Sequence, residues 1–161
     1  MITIPDLTYT SDISLFQILM STTKVEMLKV CDKLDFYVSP NVSKEKTASR
    51  LEDELLNGSI GILCTLNKQE LEIVDEFVKG GANTYVVKRM RKMPYKLQKY
   101  YLVLTYCDYK NEKWHLLMPD KVRESLAETL PFFLDLARKG LKPPTARQIR
   151  IASALRNVFG K

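Results

Sequence analysis

The sequence predicts a mainly helical protein of the α+β class, in which several helices accompany one small β-hairpin. Apolar residues recur at helical spacing behind side chains that can cap a helix, and this pattern covers most of the chain. Two short stretches rich in β-forming residues flank a polar turn, which favours a single hairpin. The 161 residues are 45% hydrophobic and 27% charged, a composition typical of soluble globular proteins.

Three helices are predicted in the first third of the chain, and we group them as a helix–extended loop–helix module over residues 12–58. Ser11 and Asp12 are candidate N-caps of the first helix, and Thr23 opens the second with capping-box spacing. Ser43 can cap the third helix. The buried faces of the second and third helices are predicted to hold Leu28, Cys31, Leu34, Ala48, Leu51 and Leu55.

A second unit is predicted over residues 66–126, and it begins with the best-marked helix start in the chain. Asn67 and Glu70 have the capping-box spacing, in which each side chain satisfies the backbone N–H of the other residue. Gly80 and Gly81 should end this helix. Residues 59–65, which precede it, are apolar without a helical period and predict either a strand or a buried linker.

The rest of this unit contains the predicted hairpin. Residues 82–87 predict a short helix or a strand, and Pro94 can open a short helix that runs to residue 101. LVLTY at 102–106 and WHLLM at 114–118 then predict two strands joined by a polar turn. Three helices followed by two strands is the order of a winged helix-turn-helix, in which the third helix enters the major groove of DNA.

Helices are also predicted for the C-terminal part, over residues 127–161. A long helix starts at Pro119, and Pro131 should kink it or split it into two. Thr145 can cap a last helix that carries arginines on one side. The inward side of this last helix is predicted to hold Ile149, Ala152, Leu155 and Phe159.

Cysteine and histidine usage argues against several kinds of site. Cys31, Cys64 and Cys107 are too widely spaced for a zinc pair, and their odd number does not fit a disulfide framework. Reduced thiols are typical of a cytoplasmic protein. The single histidine, His115, could meet Cys107 across the hairpin, but no orienting carboxylate or oxyanion loop accompanies the pair. We therefore predict no catalytic residue, no metal and no cofactor.

The charge of the chain is distributed unevenly. The formal net charge is +6, yet residues 1–65 carry −3, residues 66–118 carry +4 and residues 119–161 carry +5. The stretches 88–99 and 138–161 hold 13 of the 25 bases and no carboxylate. Crowded like charge destabilises a compact surface unless an anion neutralises it, and phosphate backbones are a common anionic partner. The alternative is a solvated basic face without a partner.

The predicted nucleic-acid-binding residues lie in these basic stretches and in the hairpin. The outward side of the short helix is predicted to carry Tyr95, Lys96, Gln98 and Lys99. Lysine suits phosphate or guanine, and glutamine can read a base edge. The full predicted set is Lys88, Arg89, Arg91, Lys92, Lys96, Gln98, Lys99, Lys110, Lys113, Arg147, Arg150 and Arg156.

Two segments resemble known nucleic-acid-binding modules. Residues 23–55 resemble the SAP-like and Rho-N-terminal-like helix–loop–helix modules, through Lys24, Leu28, Lys44, Lys46, Leu51 and Leu55. Residues 66–126 resemble winged-helix domains of the helicase-associated type, through Leu66, Glu70, Leu71, the stretch LQKYYLVLT and the run from Leu117 to Pro119. Both families mostly bind DNA or RNA without catalysis. The resemblance therefore implies nucleic-acid binding, although the acidic first part of this chain departs from a DNA-binding SAP module and fits a protein contact or a packing element instead.

We therefore expect a cytoplasmic, non-enzymatic protein that binds nucleic acid, with double-stranded DNA as the expected ligand. The alternative is a protein-interaction adaptor or homodimer, in which the apolar side of the last helix docks on a partner groove. A membrane partner is not expected, because no apolar run approaches the ~20 residues that span a bilayer. The first twelve residues also lack the basic and apolar regions of a secretory signal.

Overall fold

Helices and one small antiparallel sheet form the fold, which is given by a computed structural model. The structure describes residues 9–92 and 94–159, apart from the side chains of Ala146, Arg150, Ser153 and Phe159. The helices are α1 (Leu15–Met20), α2 (Lys24–Lys33), α3 (Lys44–Asn57), α4 (Ser59–Leu63), α5 (Lys68–Gly80), α6 (Tyr95–Lys99), α7 (Asp120–Ala127), α8 (Leu130–Arg138) and α9 (Ala146–Phe159). The strands are β1 (Tyr85–Arg89), β2 (Leu104–Asp108) and β3 (Lys113–Leu117). The predicted mainly helical α+β class is confirmed.

Side-chain caps begin the first three helices. The hydroxyls of Thr23 and Ser43 accept the backbone N–H three residues later, which confirms both predicted caps. The cap of α1 is Ser14, which forms a capping box with Gln17, so the prediction of Ser11 or Asp12 is wrong. Ser11 lies apart from this helix and is bound to other elements. Leu51, Leu55 and Ala48 of α3 are buried as predicted.

The segment 59–65 is helical rather than a strand or a linker. Its helix, α4, has only five residues, which is too short for a helical period to show in the sequence. Ile62 and Leu63 are buried in the core, and α4 packs against α7. Burial of these two side chains therefore accounts for the apolar character of the segment.

The helix start at α5 is confirmed atom by atom. Asn67 Oδ1 accepts the Glu70 N–H at 2.8 Å, and Glu70 Oε1 accepts the Asn67 N–H at 3.0 Å. The helix ends at Gly81, whose φ of +74° favours glycine. Leu71, Val74 and Phe77 form its buried face.

The predicted hairpin is present, and a third strand joins it. β2 and β3 pair antiparallel, and β1 pairs antiparallel with the other edge of β3, which gives the order β1-β3-β2. The winged helix-turn-helix order requires a second helix between α5 and α6. The structure has the strand β1 at this place instead. Val86 and Val87 favour this outcome because β-branched residues suit a sheet, and pairing with β3 satisfies their backbone.

Pro131 splits the C-terminal helices as predicted. α7 ends at Ala127, and Pro131 lies in the first turn of α8, where proline is tolerated. The last helix forms, but its predicted inward side is wrong. Ile149 packs partly against the core, whereas Ala152 and Leu155 are exposed. The fourth predicted member, the side chain of Phe159, lies outside the described residues.

One hydrophobic core holds these elements together. It contains Leu51 of α3, Phe77 of α5, Leu97 of α6 and Leu126 of α7, and it draws on both of the units predicted over 12–58 and 66–126. The inner side of the sheet joins this core through buried side chains of β1 and β3, Val86 and Leu116. No helix within the described ranges is long and apolar enough to cross a membrane.

Candidate nucleic-acid interface

Five of the predicted binding residues meet at one end of the sheet. β1 ends where β3 begins, and the register places Arg89 directly opposite Lys113. A 3-10 helix, Met90–Lys92, follows β1, and the Met90 N–H donates to the Glu112 carbonyl at 2.9 Å. The chain segment after β1 is thereby attached to the β2–β3 turn. We call the resulting group the basic sheet end, and its members are Arg89, Arg91, Lys92, Lys110 and Lys113.

The cations of the basic sheet end are exposed and carry no ion pair. All five side chains are solvent-exposed. None of them lies within 4.0 Å of a carboxylate in the part of the chain that the structure describes. Two carboxylates lie at the same end of the sheet, since Asp108 is opposite Lys113 and Glu112 is in the turn. Lys92 also lines a cavity with Glu72, Asp75 and Glu76. The cations outnumber the two carboxylates of the sheet end, and this excess of positive charge attracts anions.

The β2–β3 turn holds Lys110 in a defined place. Asp108 accepts two hydrogen bonds from Asn111, one from the backbone N–H at 3.2 Å and one from the side-chain amide at 2.7 Å. These hydrogen bonds lower the pKa of the Asp108 carboxyl. Glu112 completes the turn with a φ of +53°, a conformation that is costly for a residue other than glycine. The carboxylate of Asp108 is therefore hydrogen-bonded within the turn that carries Lys110.

Lys88 lies on the opposite side of the sheet from this group. Lys88 pairs with Trp114 of β3, so both side chains project to the inner side of the sheet. The side chain of Lys88 is half-buried. The Nζ of Lys88 is 3.0 Å from a carboxylate oxygen of Glu76 on α5. Lys88 is therefore in an ion pair and is not a member of the basic sheet end, although it lines the same cavity beside α5 as Lys92.

Only two of the four side chains predicted on the outward side of α6 are exposed to solvent. Tyr95 and Lys99 are exposed, as predicted. Lys96 and Gln98 are half-buried, so their outward placement is wrong. The Nζ of Lys96 donates to the Thr65 carbonyl, and the Gln98 amide lies 3.4 Å from the hydroxyl of Thr105 on β2.

Lys99 has a neighbour that the sequence does not indicate. Its side chain lies beside that of Lys33 on α2, and the hydrogen bond and repulsion from Lys99 lower the pKa of Lys33. Both lysines line a shallow cavity of about 160 Å³ between α2 and α6. Lys33 belongs to the acidic first part of the chain, so no local signal could have grouped it with Lys99.

The C-terminal arginines belong to a separate element. Arg147 and Arg156 are exposed on α9, and this helix lies against α4. The third predicted member, the side chain of Arg150, lies outside the described residues. The basic sheet end is built from β1, β3 and the segments beside them, so these arginines form a second basic region.

The sequence offers one candidate nucleophile–base pair, Cys107 and His115, and the sheet separates the two side chains. Cys107 is paired with Trp114 and Tyr106 is paired with His115, so Cys107 and His115 point to opposite sides of the sheet. A nucleophile and its base must share one side, so this pair does not form. No group of three or more His, Cys, Asp or Glu residues among those described could hold a metal ion.

Comparison with protein-family models, with curated proteins and with solved structures found no match for this chain.

Proposed function

We propose that this chain is a non-enzymatic nucleic-acid-binding protein that contacts phosphates through the basic sheet end. A single observation carries the proposal. Five exposed cations from separate segments of the chain meet at one end of a sheet, with no ion pair to the carboxylates that the structure describes. A phosphate backbone offers regularly spaced negative charge to such a group and releases counterions on binding.

The hairpin has the role of a wing in this proposal. Lys110 and Lys113 lie at its tip, and they contact backbone phosphates rather than bases. Lys99 on α6 remains available at the surface, and Lys33 beside it adds a further positive charge. Lys96 and Gln98 are hydrogen-bonded within the chain, which favours phosphate contact over base reading by α6.

Charge reversal at the basic sheet end tests the proposal. Arg89→Glu combined with Lys113→Glu should weaken binding of a labelled DNA by about ten-fold or more, because two phosphate contacts become repulsive. The matched control is Lys46→Glu with Arg50→Glu, which makes the same charge change on exposed positions of α3. Fluorescence anisotropy gives both affinities. Equal losses in the two double variants would show that net charge alone matters and that the surface is wrongly assigned.

A second candidate function is a protein-interaction adaptor or homodimer. Ile151, Leu155 and Val158 recur on one side of α9, and each is at least half exposed. Exposed apolar side chains at helical spacing are typical of helices that dock on a groove. Deletion of residues 141–161 should then change the mass seen by light scattering from dimer to monomer while nucleic-acid binding persists. A monomer before and after the deletion would remove the homodimer.

A further inference from the structure

The outer side of the sheet faces away from the core and combines aromatic with basic side chains. Residues that pair across antiparallel strands project to the same side, so the register fixes its composition. One row consists of Val87, His115 and Tyr106, and the next row consists of Arg89, Lys113 and Asp108. A third row, Tyr85, Leu117 and Leu104, lies on the same side, and Leu117 in it is buried. We call the ring- and cation-bearing part of this surface the outer sheet face, and its members are Tyr85, Val87, Arg89, Tyr106, Lys113 and His115.

The two sides of the sheet differ in burial. Val86 and Leu116 on the inner side are buried in the hydrophobic core. On the outer side Tyr85 is 49% exposed and Val87 is 44% exposed, Tyr106 and His115 are half-buried, and Leu117 beside Tyr85 is buried. None of these five belongs to the hydrophobic core. Tyr85 and Val87 are therefore accessible to a ligand on the side of β1 that faces away from the core.

The aromatic side chains of the outer sheet face are held in fixed positions. The rings of Tyr106 and His115 lie side by side on neighbouring strands, with centroids 5.6 Å apart and planes inclined at 48°. The hydroxyl of Tyr85 donates to the backbone carbonyl of Tyr9, which fixes that ring at the edge of the sheet. Rings that are already ordered lose little conformational entropy when a planar ligand stacks on them.

The cations lie next to the rings. The Arg89–Lys113 row follows the Val87–His115–Tyr106 row, two residues along each strand, which is about 7 Å. Both cations are exposed, and Asp108 in the same row is occupied by its two hydrogen bonds from Asn111. Aromatic rings beside exposed cations are the combination that binds single strands, because rings stack bases while cations contact the phosphates between them.

We infer that the outer sheet face binds unpaired bases of a single-stranded nucleic acid, with Tyr85, Tyr106 and His115 as the stacking surface. Arg89 and Lys113 contact the phosphates of the same strand. This inference rests on the proposed function, since both use the basic sheet end. It adds the class of ligand, because bases paired within a duplex cannot lie flat on a protein ring.

The test compares a labelled twelve-nucleotide DNA strand with its duplex, using the full chain. The single strand should bind more tightly than the duplex. Tyr106→Ala and Tyr85→Ala should each weaken single-strand binding by about ten-fold. Tyr37→Ala is the matched control, because Tyr37 is the most exposed tyrosine described and lies in the loop after α2. It should leave the affinity unchanged.

A second variant and a second measurement guard against loss of folding. Tyr85→Leu and Tyr106→Leu keep apolar volume on the sheet and remove the ring, so they should fold and still lose the affinity. A strand that carries 2-aminopurine should show quenched emission when the wild-type chain stacks that base. The leucine variants should reduce this quenching, and Tyr37→Leu should not.

Failure of the inference is distinguishable from failure of the proposed function. Equal binding of duplex and single strand, with affinity unchanged by the tyrosine variants and lowered by Arg89→Glu with Lys113→Glu, overturns the stacking surface and leaves phosphate binding intact. Absence of binding to either DNA at low salt overturns both. Tighter binding to the duplex, with no quenching of 2-aminopurine, also overturns the inference and favours the duplex as ligand.

Discussion

The carboxylate of Glu70 accepts a hydrogen bond from the backbone N–H of Lys96 at 2.9 Å. The same carboxylate accepts the Asn67 N–H through its other oxygen, so one buried side chain caps α5 and orders the first turn of α6. A helix of five residues is too short to form alone, and its first N–H groups have no partner within the helix. The position of α6 beside the sheet therefore depends on Glu70.

Replacing Glu70 tests this dependence. Glu70→Ala leaves two part-buried N–H groups without their acceptor and should lower the free energy of unfolding by about 2 kcal/mol. Glu70→Gln keeps one acceptor oxygen, so its loss should be smaller. Chemical denaturation measures both. Gln69→Ala, an exposed position in the same turn, serves as the control and should change stability little. A loss in the control as large as in Glu70→Ala would contradict the assignment.

Ser11 joins the start of the described chain to α7. Its hydroxyl donates to Asp120 Oδ1 at 2.7 Å and accepts the Asn83 N–H at 2.8 Å, and the side chain is buried. The hydrogen bond from Ser11, followed by that from Arg123, lowers the pKa of Asp120. The charged form of Asp120 is therefore favoured in the folded state.

A pH-dependent loss of stability follows from this contact. The stabilisation is fully present above the ordinary aspartate pKa and is lost as the pH falls through the lower folded value. Ser11→Ala should cost about 1–2 kcal/mol near neutral pH, and the difference from the wild type should shrink toward about pH 3. Urea denaturation at the two pH values gives the comparison. Ser49→Ala, an exposed position on α3, is the control, and a pH-independent difference for Ser11→Ala would contradict the account.

The Lys33–Lys99 contact predicts a second dependence of stability on pH, at alkaline pH. The proximity of Lys99 lowers the pKa of Lys33, so Lys99→Gln should raise it toward the ordinary value. The repulsion is fully present below the lowered pKa and is relieved as the pH rises through it toward 10.5. Stability of the wild type relative to Lys99→Gln should rise in this alkaline interval, because the contributions of the other titrating groups are common to both chains. NMR of the lysine side chains reports the pKa, and Lys46→Gln should leave it unchanged.

Features that depend on residues near each other in the chain were predictable from the sequence. The Asn67–Glu70 capping box, the caps at Thr23 and Ser43 and the split at Pro131 each involve a few consecutive residues. The hairpin is predictable for the same reason, because its two strands are close in the sequence and are joined by one turn. Local chemistry specifies such features without reference to distant residues.

Features that depend on distant residues were not predictable. Residues 82–87 could form a helix or a strand by their sequence, and pairing with β3 makes a strand only of the part from Tyr85 onward. Lys96 has an exposed position by helical spacing, but the Thr65 carbonyl attracts its ammonium group. The amphipathic pattern of α9 correctly predicts a helix, yet it does not distinguish a side that packs on the chain's own core from one that stays exposed.

The salt dependence of nucleic-acid affinity tests the central claim most directly. A labelled single strand is titrated with the full chain at about 50 mM and about 200 mM salt. If the five cations of the basic sheet end each neutralise one phosphate, the affinity should fall by about 100-fold between these concentrations. Affinity that does not change with salt, or no binding at the lower concentration, would contradict phosphate contact by this surface.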